Sequence, residues 1–356
     1  MATPEHLTPA AELAALVREV SALAEGGRPW CAGAVVLAGR GPGVLVRHTT
    51  GWAVRYAARG RERARADWVP MRADTLFDLA SLTKLFTAVA TVQQAERGAL
   101  ALDGPAADHV PEFAAAGKAA VTVRQLLTHT SGLRPELPFH DGGGLGLLWR
   151  EVPVTEPGST YRYSDLNFLA LQQVLERVTG QRLDVLVRDG ITAPLGMDDT
   201  RYGPVPAAGA AATEDQRRPW AKADRGLLRG EVHDENAHAL GGIAGHAGLF
   251  STAGDLGRLC RALLAGGPPL LTPESAALLL DPPGLGFAVD QPYFMGELAG
   301  HGAAGHTGFT GTSLVLDRHT GGYLVLLANT VHPVRPRRPD STPRARAATR
   351  LARALR

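Results

Sequence analysis

Cysteine and lysine are both scarce in this chain. Its 356 residues include two cysteines, Cys31 and Cys260, which excludes a disulfide framework and a cysteine-based zinc site. Of the 37 basic residues only Lys84, Lys118 and Lys222 are lysines, and the rest are arginines. Arginine stays charged at any working pH, whereas lysine can be tuned to lose its proton. Each lysine is therefore a candidate for chemistry.

The chain also lacks a strong charge of either sign. Its 37 basic and 35 acidic side chains give a net charge of +2. A nucleic-acid or anionic membrane partner would call for a stronger positive field, so we expect neither. Arginines cluster locally in the segments 59–65 and 335–356, and we interpret both runs as solvated surface.

No segment has the pattern of an export signal or a membrane span. The stretch Met1–Ala10 carries Glu5 and no Lys or Arg, unlike the basic-then-apolar order of a signal peptide. The uncharged run 236–254, which no other run in the chain exceeds in length, contains five glycines and two histidines, which is a poor composition for a span. We therefore expect a cytoplasmic protein.

Strand patterns lie near both ends of the chain and helical patterns lie between them. Strand-like segments occur at 34–38, 44–46, 286–289, 312–317 and 323–329, and helix-like segments at 8–24, 85–97, 165–178, 253–264 and 343–356. This order predicts an α/β (α+β) fold, in which both chain ends form one antiparallel sheet with flanking terminal helices. We expect a single domain, 1–356, with a sheet lobe of about 1–75 and 281–356. The mostly helical lobe would be inserted at about 76–280, and a site is expected in the cleft between the lobes.

The strongest chemical pattern is Ser81-Leu82-Thr83-Lys84 at the start of a predicted helix. A spacing of three places the serine and lysine side chains on one helix face. A hydroxyl at a helix N-terminus lies in positive potential, and a free backbone N–H there can hold an oxyanion. A partly desolvated lysine can lower its pKa and take the serine proton. Taken alone, the tetrapeptide is common, and a helix cap beside a solvated lysine is its ordinary interpretation.

Two later motifs change that interpretation. Tyr163-Ser164-Asp165 and His306-Thr307-Gly308 follow the tetrapeptide in order. With these motifs the chain resembles the serine beta-lactamase and penicillin-binding-protein superfamily, closest to its class C beta-lactamase and esterase branch. Accessory segments such as 126–133 and 247–253 also look like the family's, and the resemblance runs from about 75 to 329. It implies a beta-lactamase/transpeptidase-like fold and an acyl-enzyme formed on Ser81 with Lys84 as base.

The resemblance also implies roles for the second and third motifs. Tyr163 would relay protons to the leaving group, because a neighbouring lysine cation favours the phenolate. Thr307 and Gly308 would contact the substrate, and the missing side chain of Gly308 lets it approach the strand. The N–H of Phe309 would be the second oxyanion donor beside the N–H of Ser81.

Two residues depart from the family pattern. Asp165 stands where the family usually has asparagine, and an ionised carboxylate can only accept hydrogen bonds. It either pairs with Lys84 or a substrate donor, which would weaken recognition of acylamino groups, or it serves as a helix N-cap. His306 stands where lysine is usual, so we expect its charge to change near neutral pH and substrate carboxylates to be recognised poorly.

The histidines of the middle segment invite a metal interpretation. His233, His238 and His246 have no His-x-x-x-His spacing, and no His-Glu-x-x-His occurs. We therefore expect no metal and no organic cofactor, and we interpret these residues as loop hydrogen-bonding groups. His129 is interpreted as structural. The chain has no Gly-x-Ser-x-Gly, which excludes the nucleophile elbow of α/β-hydrolases.

The predicted function is that of a serine hydrolase acting through an acyl-enzyme on a small-molecule ester or amide. A carboxylesterase for small acyl esters is the first choice, because both departures weaken recognition of amides and carboxylates. Alternatives with the same intermediate are a beta-lactamase, a D-amino-acid peptidase, a biosynthetic acyltransferase and a peptide-releasing thioesterase. A non-catalytic binding module is the alternative from another class. The sequence does not determine the oligomeric state.

Overall fold

The computed structural model describes residues 7–356, so the first six residues of Met1–Ala10 lie outside the described part. Its α-helices are α1 Pro9–Ala22, α2 Thr83–Glu96, α3 Val123–Leu127, α4 Gly146–Arg150, α5 Asp165–Thr179, α6 Leu183–Val187, α7 Glu235–Ala239, α8 Ala253–Leu264, α9 Pro273–Leu280, α10 Pro292–Met295 and α11 Thr342–Leu355. Its strands are β1 Gly33–Arg40, β2 Gly43–Val54, β3 Tyr56–Ala58, β4 Arg61–Glu62, β5 Val69–Pro70, β6 Phe77–Asp78, β7 Arg201–Tyr202, β8 Ala212–Gln216, β9 Gly226–Arg229, β10 Leu249–Ser251, β11 Ala288–Val289, β12 Ala304–Thr307, β13 Ser313–Asp317 and β14 Gly322–Ala328.

Both ends of the chain meet in one antiparallel sheet. Its seven strands lie in the order β11-β12-β13-β14-β1-β2-β5. In β1, Ala34 lies opposite Ala328 of β14 on one side and opposite Thr50 of β2 on the other. The N-terminal hairpin and the C-terminal strands therefore form a continuous sheet, and the predicted α/β fold is confirmed.

The two faces of the sheet pack against different layers. Side chains alternate along a strand, so Ala34 and Val36 pack with α1 and α11 while Val35 and Leu37 face the larger core of the middle segment. Leu16 of α1 is fully buried in the first of these layers. The terminal helices cover one face, and the other face is left for the elements that carry the site.

The middle segment, 76–280, carries helices α2 to α9 but also contains short strands and many loops. β6, β10 and β7 form a three-stranded sheet, and β8 pairs with β9. The expected division into a sheet lobe and a helical lobe remains a proposal. Helix α5 ends at Gly180, whose φ of +67° suits glycine. Within residues 7–356, none of the helices combines the length and the apolar character needed to cross a bilayer.

Candidate active site

Ser81 lies in a single 3₁₀ turn, Ala80–Leu82, that leads directly into α2. The residue before it, Ala80, has a φ of +46°, in the left-handed region that L-residues rarely occupy. The buried carboxylate of Asp78 accepts the N–H of Ala80 at 2.8 Å and the N–H of His233 at 2.6 Å. Asp78 thus holds the strained turn, a role that its sequence position alone did not reveal.

Lys84 lies one turn further along and is completely buried. Its Nζ is 3.0 Å from Ser81 Oγ, 2.8 Å from Asp165 Oδ1 and 3.4 Å from the carbonyl oxygen of His246. It also lies 4.9 Å from the centre of the Tyr163 ring. The first two motifs, about eighty residues apart in sequence, therefore meet at one ammonium group.

The charge state of Lys84 differs from the sequence-based expectation. Burial alone would lower its pKa, but the Asp165 carboxylate and the Tyr163 phenol outweigh burial and raise the pKa above its usual value. The expectation that desolvation would lower the pKa of Lys84 is therefore wrong for the free protein. The reason is Asp165, whose position beside the amine could not be derived from the sequence.

Asp165 is the first residue of α5, not its cap. The N-cap is Ser164, whose hydroxyl accepts the N–H of Leu166 at 3.2 Å. The N-cap interpretation of Asp165 is therefore wrong, and its alternative, pairing with Lys84, describes the geometry. The Asp165 side chain remains 25% exposed, so the ion pair lies at the edge of the buried region.

Tyr163 stands between two histidine rings. Its ring centre lies 4.6 Å from that of His129 and 5.9 Å from that of His306. Burial raises the pKa of Tyr163, and its contacts with Lys84 and Ser81 oppose that rise without cancelling it. At neutral pH the phenol therefore keeps its proton in the free protein.

His129 is buried beside this tyrosine and has a φ of +56°. Its Nδ1 accepts the N–H of Ser164 at 3.1 Å, so the neutral ring carries its proton on Nε2. Burial and the Lys84 ammonium lower the pKa of His129 well below its usual value. His129 therefore packs against Tyr163 and accepts a hydrogen bond from Ser164, both of which belong to the second motif.

The third motif lies at the end of β12, where His306 and Thr307 are the last two residues and Gly308 follows. His306 donates from Nδ1 to the carbonyl of Thr307 at 2.7 Å, because a carbonyl oxygen can only accept. Burial and the Lys84 cation lower the pKa of His306 to about 4. The expectation that His306 changes charge near neutral pH is therefore wrong, and the ring is neutral there.

The loop after β12 is tied to the Ser81 turn. Thr310 Oγ1 donates to the carbonyl of Asp78 at 2.7 Å, and Thr312 Oγ1 donates to the carbonyl of Leu79 at 3.0 Å. Within residues 7–356, no protein group accepts a hydrogen bond from the N–H of Ser81 or of Phe309. Two free N–H groups therefore belong to segments that are directly hydrogen-bonded to each other, and their role as oxyanion donors stays a prediction.

A cavity of about 400 Å³ opens onto these groups. It is lined by six of the eight predicted site residues, which are Ser81, Tyr163, His306, Thr307, Gly308 and Phe309. The other two do not line it: Lys84 contacts Ser81, and Asp165 contacts Lys84. Aromatic side chains from Trp30, Tyr161 and Tyr293 complete much of the remaining wall. The cavity suits a small substrate with an apolar portion.

The other two lysines are not at the site. Lys222 forms a partly exposed ion pair with Glu136 at 2.5 Å. Lys118 donates to three backbone carbonyls, those of Ala115, Trp149 and Glu151, so it clamps loops together. Lys84 alone among the lysines is placed for chemistry.

The C-terminal arginine run is only partly solvated surface. Arg335 pairs with Glu214 at 2.6 Å and with Glu235 at 2.5 Å. Arg344 is 6% exposed and lines the cavity. The solvated interpretation is therefore wrong for these two residues, and no sequence signal distinguished them from their arginine neighbours.

One group of side chains near the site has the composition of a cation site. Asp165, Asp234 and His246 offer ligand atoms within 4.8 Å of one another. His246 Nε2 lies 3.1 Å from Asp234 Oδ1, and the Lys84 ammonium next to Asp165 already provides positive charge there. His233 instead pairs with the buried Glu214 at 2.9 Å, and His238 is exposed. The expectation of no metal stays a prediction.

Comparison with known proteins agrees with this geometry. The profile of the family described as Beta-lactamase matches residues 13–349. The chain belongs to the beta-lactamase family. This beta-lactamase-family protein is 32% identical over 303 residues to a protein of Escherichia coli K12 named "Putative D-alanyl-D-alanine carboxypeptidase", covering 72% of this chain and 70% of that one. The present chain is thus a serine hydrolase of the beta-lactamase and penicillin-binding-protein superfamily.

Two solved structures are similar over nearly the whole chain. The hydrolase EstCE1, described as having promiscuous acyltransferase activity, has a TM-score of 0.77 at 23% identity and covers 96% of this beta-lactamase-family chain and 99% of its own. A penicillin-binding-protein homologue from Caulobacter crescentus has a TM-score of 0.72 at 24% identity and covers 99% of both chains. Both likenesses show the shared fold.

The neutral state of His306 gives a direct test of the site's electrostatics. In histidine-labelled protein, with H306Q used to assign the signal, NMR should give a midpoint near pH 4, well below the ordinary value of about 6.5. Burial and the Lys84 charge both oppose protonation of the ring. A midpoint between pH 6 and 7 would show that this description of the site is wrong.

Proposed function

We propose that this protein is a carboxylesterase that forms an acyl-enzyme on Ser81. The observation that carries the proposal is the 3.0 Å contact between Lys84 Nζ and Ser81 Oγ at the wall of the cavity. A serine within hydrogen-bonding distance of a lysine, with a third group orienting that lysine, has the geometry of an activated nucleophile.

The reactive form requires one proton fewer than the resting site holds. At rest Lys84 is an ammonium paired with Asp165, and Tyr163 is a phenol. Once the Lys84–Tyr163 pair has lost one proton, it can take the proton of Ser81 while Oγ bonds to the substrate carbonyl carbon. The pair then passes that proton to the leaving alkoxide as the C–O bond breaks.

Deacylation repeats these steps with water as the nucleophile. Water adds to the acyl carbon and gives a proton to the Lys84–Tyr163 pair, which returns it to Ser81 Oγ as the acid leaves. In both steps the N–H groups of Ser81 and Phe309 hold the negative oxygen. Removing one such donor from a serine hydrolase costs about 10²–10³ in kcat.

An ester substrate fits the charges of the site better than an amide with a carboxylate terminus. Asp165 is a carboxylate bound to Lys84, so it has no N–H with which to bind an acylamino carbonyl. His306 is neutral, so the third motif lacks the cation that lysine would supply. At these two positions the departures favour an uncharged ester, and the charged side chains elsewhere on the cavity wall are Arg338, Asp340 and Arg344.

A second candidate is a D-alanyl-D-alanine carboxypeptidase. It is favoured by the name of the Escherichia coli protein to which the chain is 32% identical. Comparison of kcat/KM for p-nitrophenyl acetate, a D-alanyl-D-alanine peptide and nitrocefin separates the two candidates from each other and from a beta-lactamase.

Substitution S81A should abolish ester turnover, because the hydroxyl is the only group that bonds to the acyl carbon. A fluorophosphonate probe should add its mass to the Ser81 peptide of the unmodified protein and should not label the variant. T128A removes a hydroxyl that donates to the carbonyl of Arg124 and does not line the cavity, so it is the matched control and should behave as wild type. Turnover that survives in S81A would refute the proposal, and absence of both labelling and turnover would favour a binding module.

Substitution D165N should shift the rise of kcat/KM toward lower pH. The Asp165 carboxylate raises the pKa of Lys84. Without it, the Lys84–Tyr163 pair should lose its proton at a pH lower by about one unit or more. D74N, which removes an exposed carboxylate paired with Arg72, is the control. An unchanged pH profile in D165N would contradict the assigned role of Asp165.

A further inference from the structure

Arg344 stands apart from the other arginines of its helix. In α11 and at its end, Arg346, Arg350, Arg353 and Arg356 form ion pairs with glutamates. Arg344 is instead 6% exposed, and within residues 7–356 no carboxylate forms an ion pair with it. Burial lowers the pKa of Arg344 to about 10, so it remains a cation at neutral pH. A buried cation of this kind requires other compensation.

Its hydrogen bonds lead to the third motif. Nη2 donates to the carbonyl of Gly308 at 3.1 Å, and Nη1 donates to Ser341 Oγ at 3.1 Å. The guanidinium carbon lies 5.4 Å from the centre of the Trp30 ring. Nε has no hydrogen-bond partner among the described residues. The carbonyl of Gly308 is thus the backbone group on which this charge acts.

That carbonyl belongs to the same peptide unit as the N–H of Phe309. A peptide unit is planar, and in the trans form its C=O and N–H point in opposite directions. Holding the Gly308 carbonyl therefore fixes the direction of the Phe309 N–H. A cation on the carbonyl also polarises the peptide, which strengthens its N–H as a donor.

The loop after Gly308 is held from the other side by the Ser81 turn. Thr310 and Thr312 donate to the carbonyls of Asp78 and Leu79. A Cβ at Gly308 would overlap Thr312 Oγ1 and the Leu79 carbonyl, so the segments are in close contact. Arg344 therefore completes the support of the Gly308–Phe309 peptide from the side of α11.

We propose that Arg344 is a positioning residue of the oxyanion site. It holds the Gly308–Phe309 peptide by the Gly308 carbonyl and strengthens the Phe309 N–H as a hydrogen-bond donor. This inference rests on the proposed function, because it requires an acyl-enzyme step at Ser81. The charged group that it adds to the oxyanion site lies on α11, outside all three sequence motifs.

A cavity-lining arginine can also bind a substrate carboxylate, and kinetics separate the two roles. A positioning residue acts on the transition state, so its loss lowers kcat for neutral and anionic esters alike. A carboxylate-binding residue acts on substrate binding, so its loss raises KM for the anionic ester alone.

The experiment compares R344Q, R344K and R346Q with the wild-type protein. The substrates are p-nitrophenyl acetate and an ester of p-nitrophenol with a free carboxylate on the acyl group, and a phenylboronic acid serves as a tetrahedral analogue. R344Q should lower kcat about tenfold or more for both esters and leave KM within about threefold. Its affinity for the boronic acid should fall by a similar factor. R344K should lose less kcat and less affinity than R344Q. R346Q changes an arginine of the same helix outside the cavity and should match the wild type.

Wild-type kcat for the neutral ester in folded R344Q would overturn the inference, and so would a loss confined to KM for the anionic ester. Thermal melting reports whether each variant is folded, and if R344Q is not, R344K is judged by the same criteria. S81A is measured in parallel. Activity in S81A would refute the proposed function itself, whereas an inactive S81A with a normal R344Q would refute the role of Arg344 alone.

Discussion

The buried ammonium of Lys84 is the constraint on which the rest of the site depends. A charge removed from water is costly unless it is paired and hydrogen-bonded, and here Asp165 provides the pairing at 2.8 Å. Because Lys84 is in α2 and Asp165 begins α5, this one interaction joins the two helices that directly follow the segments of Ser81 and Tyr163. Removing one partner of a fully buried pair costs about 3–5 kcal/mol, and the cost is smaller here because Asp165 is 25% exposed. The position of Ser81 and the charge of Lys84 are therefore coupled.

Several other side chains hold the backbone around the site. Asp78 secures the strained turn at Ala80, whose φ is +46°, and strain of this kind persists only where the surroundings enforce it. Thr310 and Thr312 join that turn to the loop after β12. Arg344 holds the Gly308 carbonyl, and the N–H groups of Ser81 and Phe309 are free on segments that are hydrogen-bonded to each other. Such preorganised donors stabilise an oxyanion without reorganisation during the reaction.

Sequence patterns predicted the fold and the members of the site better than its charges. Continuous apolar runs marked β1 and β14, and the helix predicted at 253–264 matches α8. Motif order was enough to nominate Ser81, Lys84 and Tyr163, whose catalytic roles stay predictions. The pKa of Lys84 and of His306, however, depends on neighbours far away in sequence, so both expectations were wrong. Arg344 was missed for the same reason, because nothing in an arginine-rich helix shows which side chain faces a cavity.

The scarcity of lysine makes one measurement especially direct. Selective ¹⁵N labelling gives side-chain signals from three lysines only, and K118M and K222M assign the signal of Lys84. The account predicts that Lys84 keeps the chemical shift of an ammonium near pH 10.4, where an ordinary lysine is about half deprotonated, and that D165N loses its proton at lower pH. A neutral amine at Lys84 near pH 7 in the unmodified protein would contradict the account.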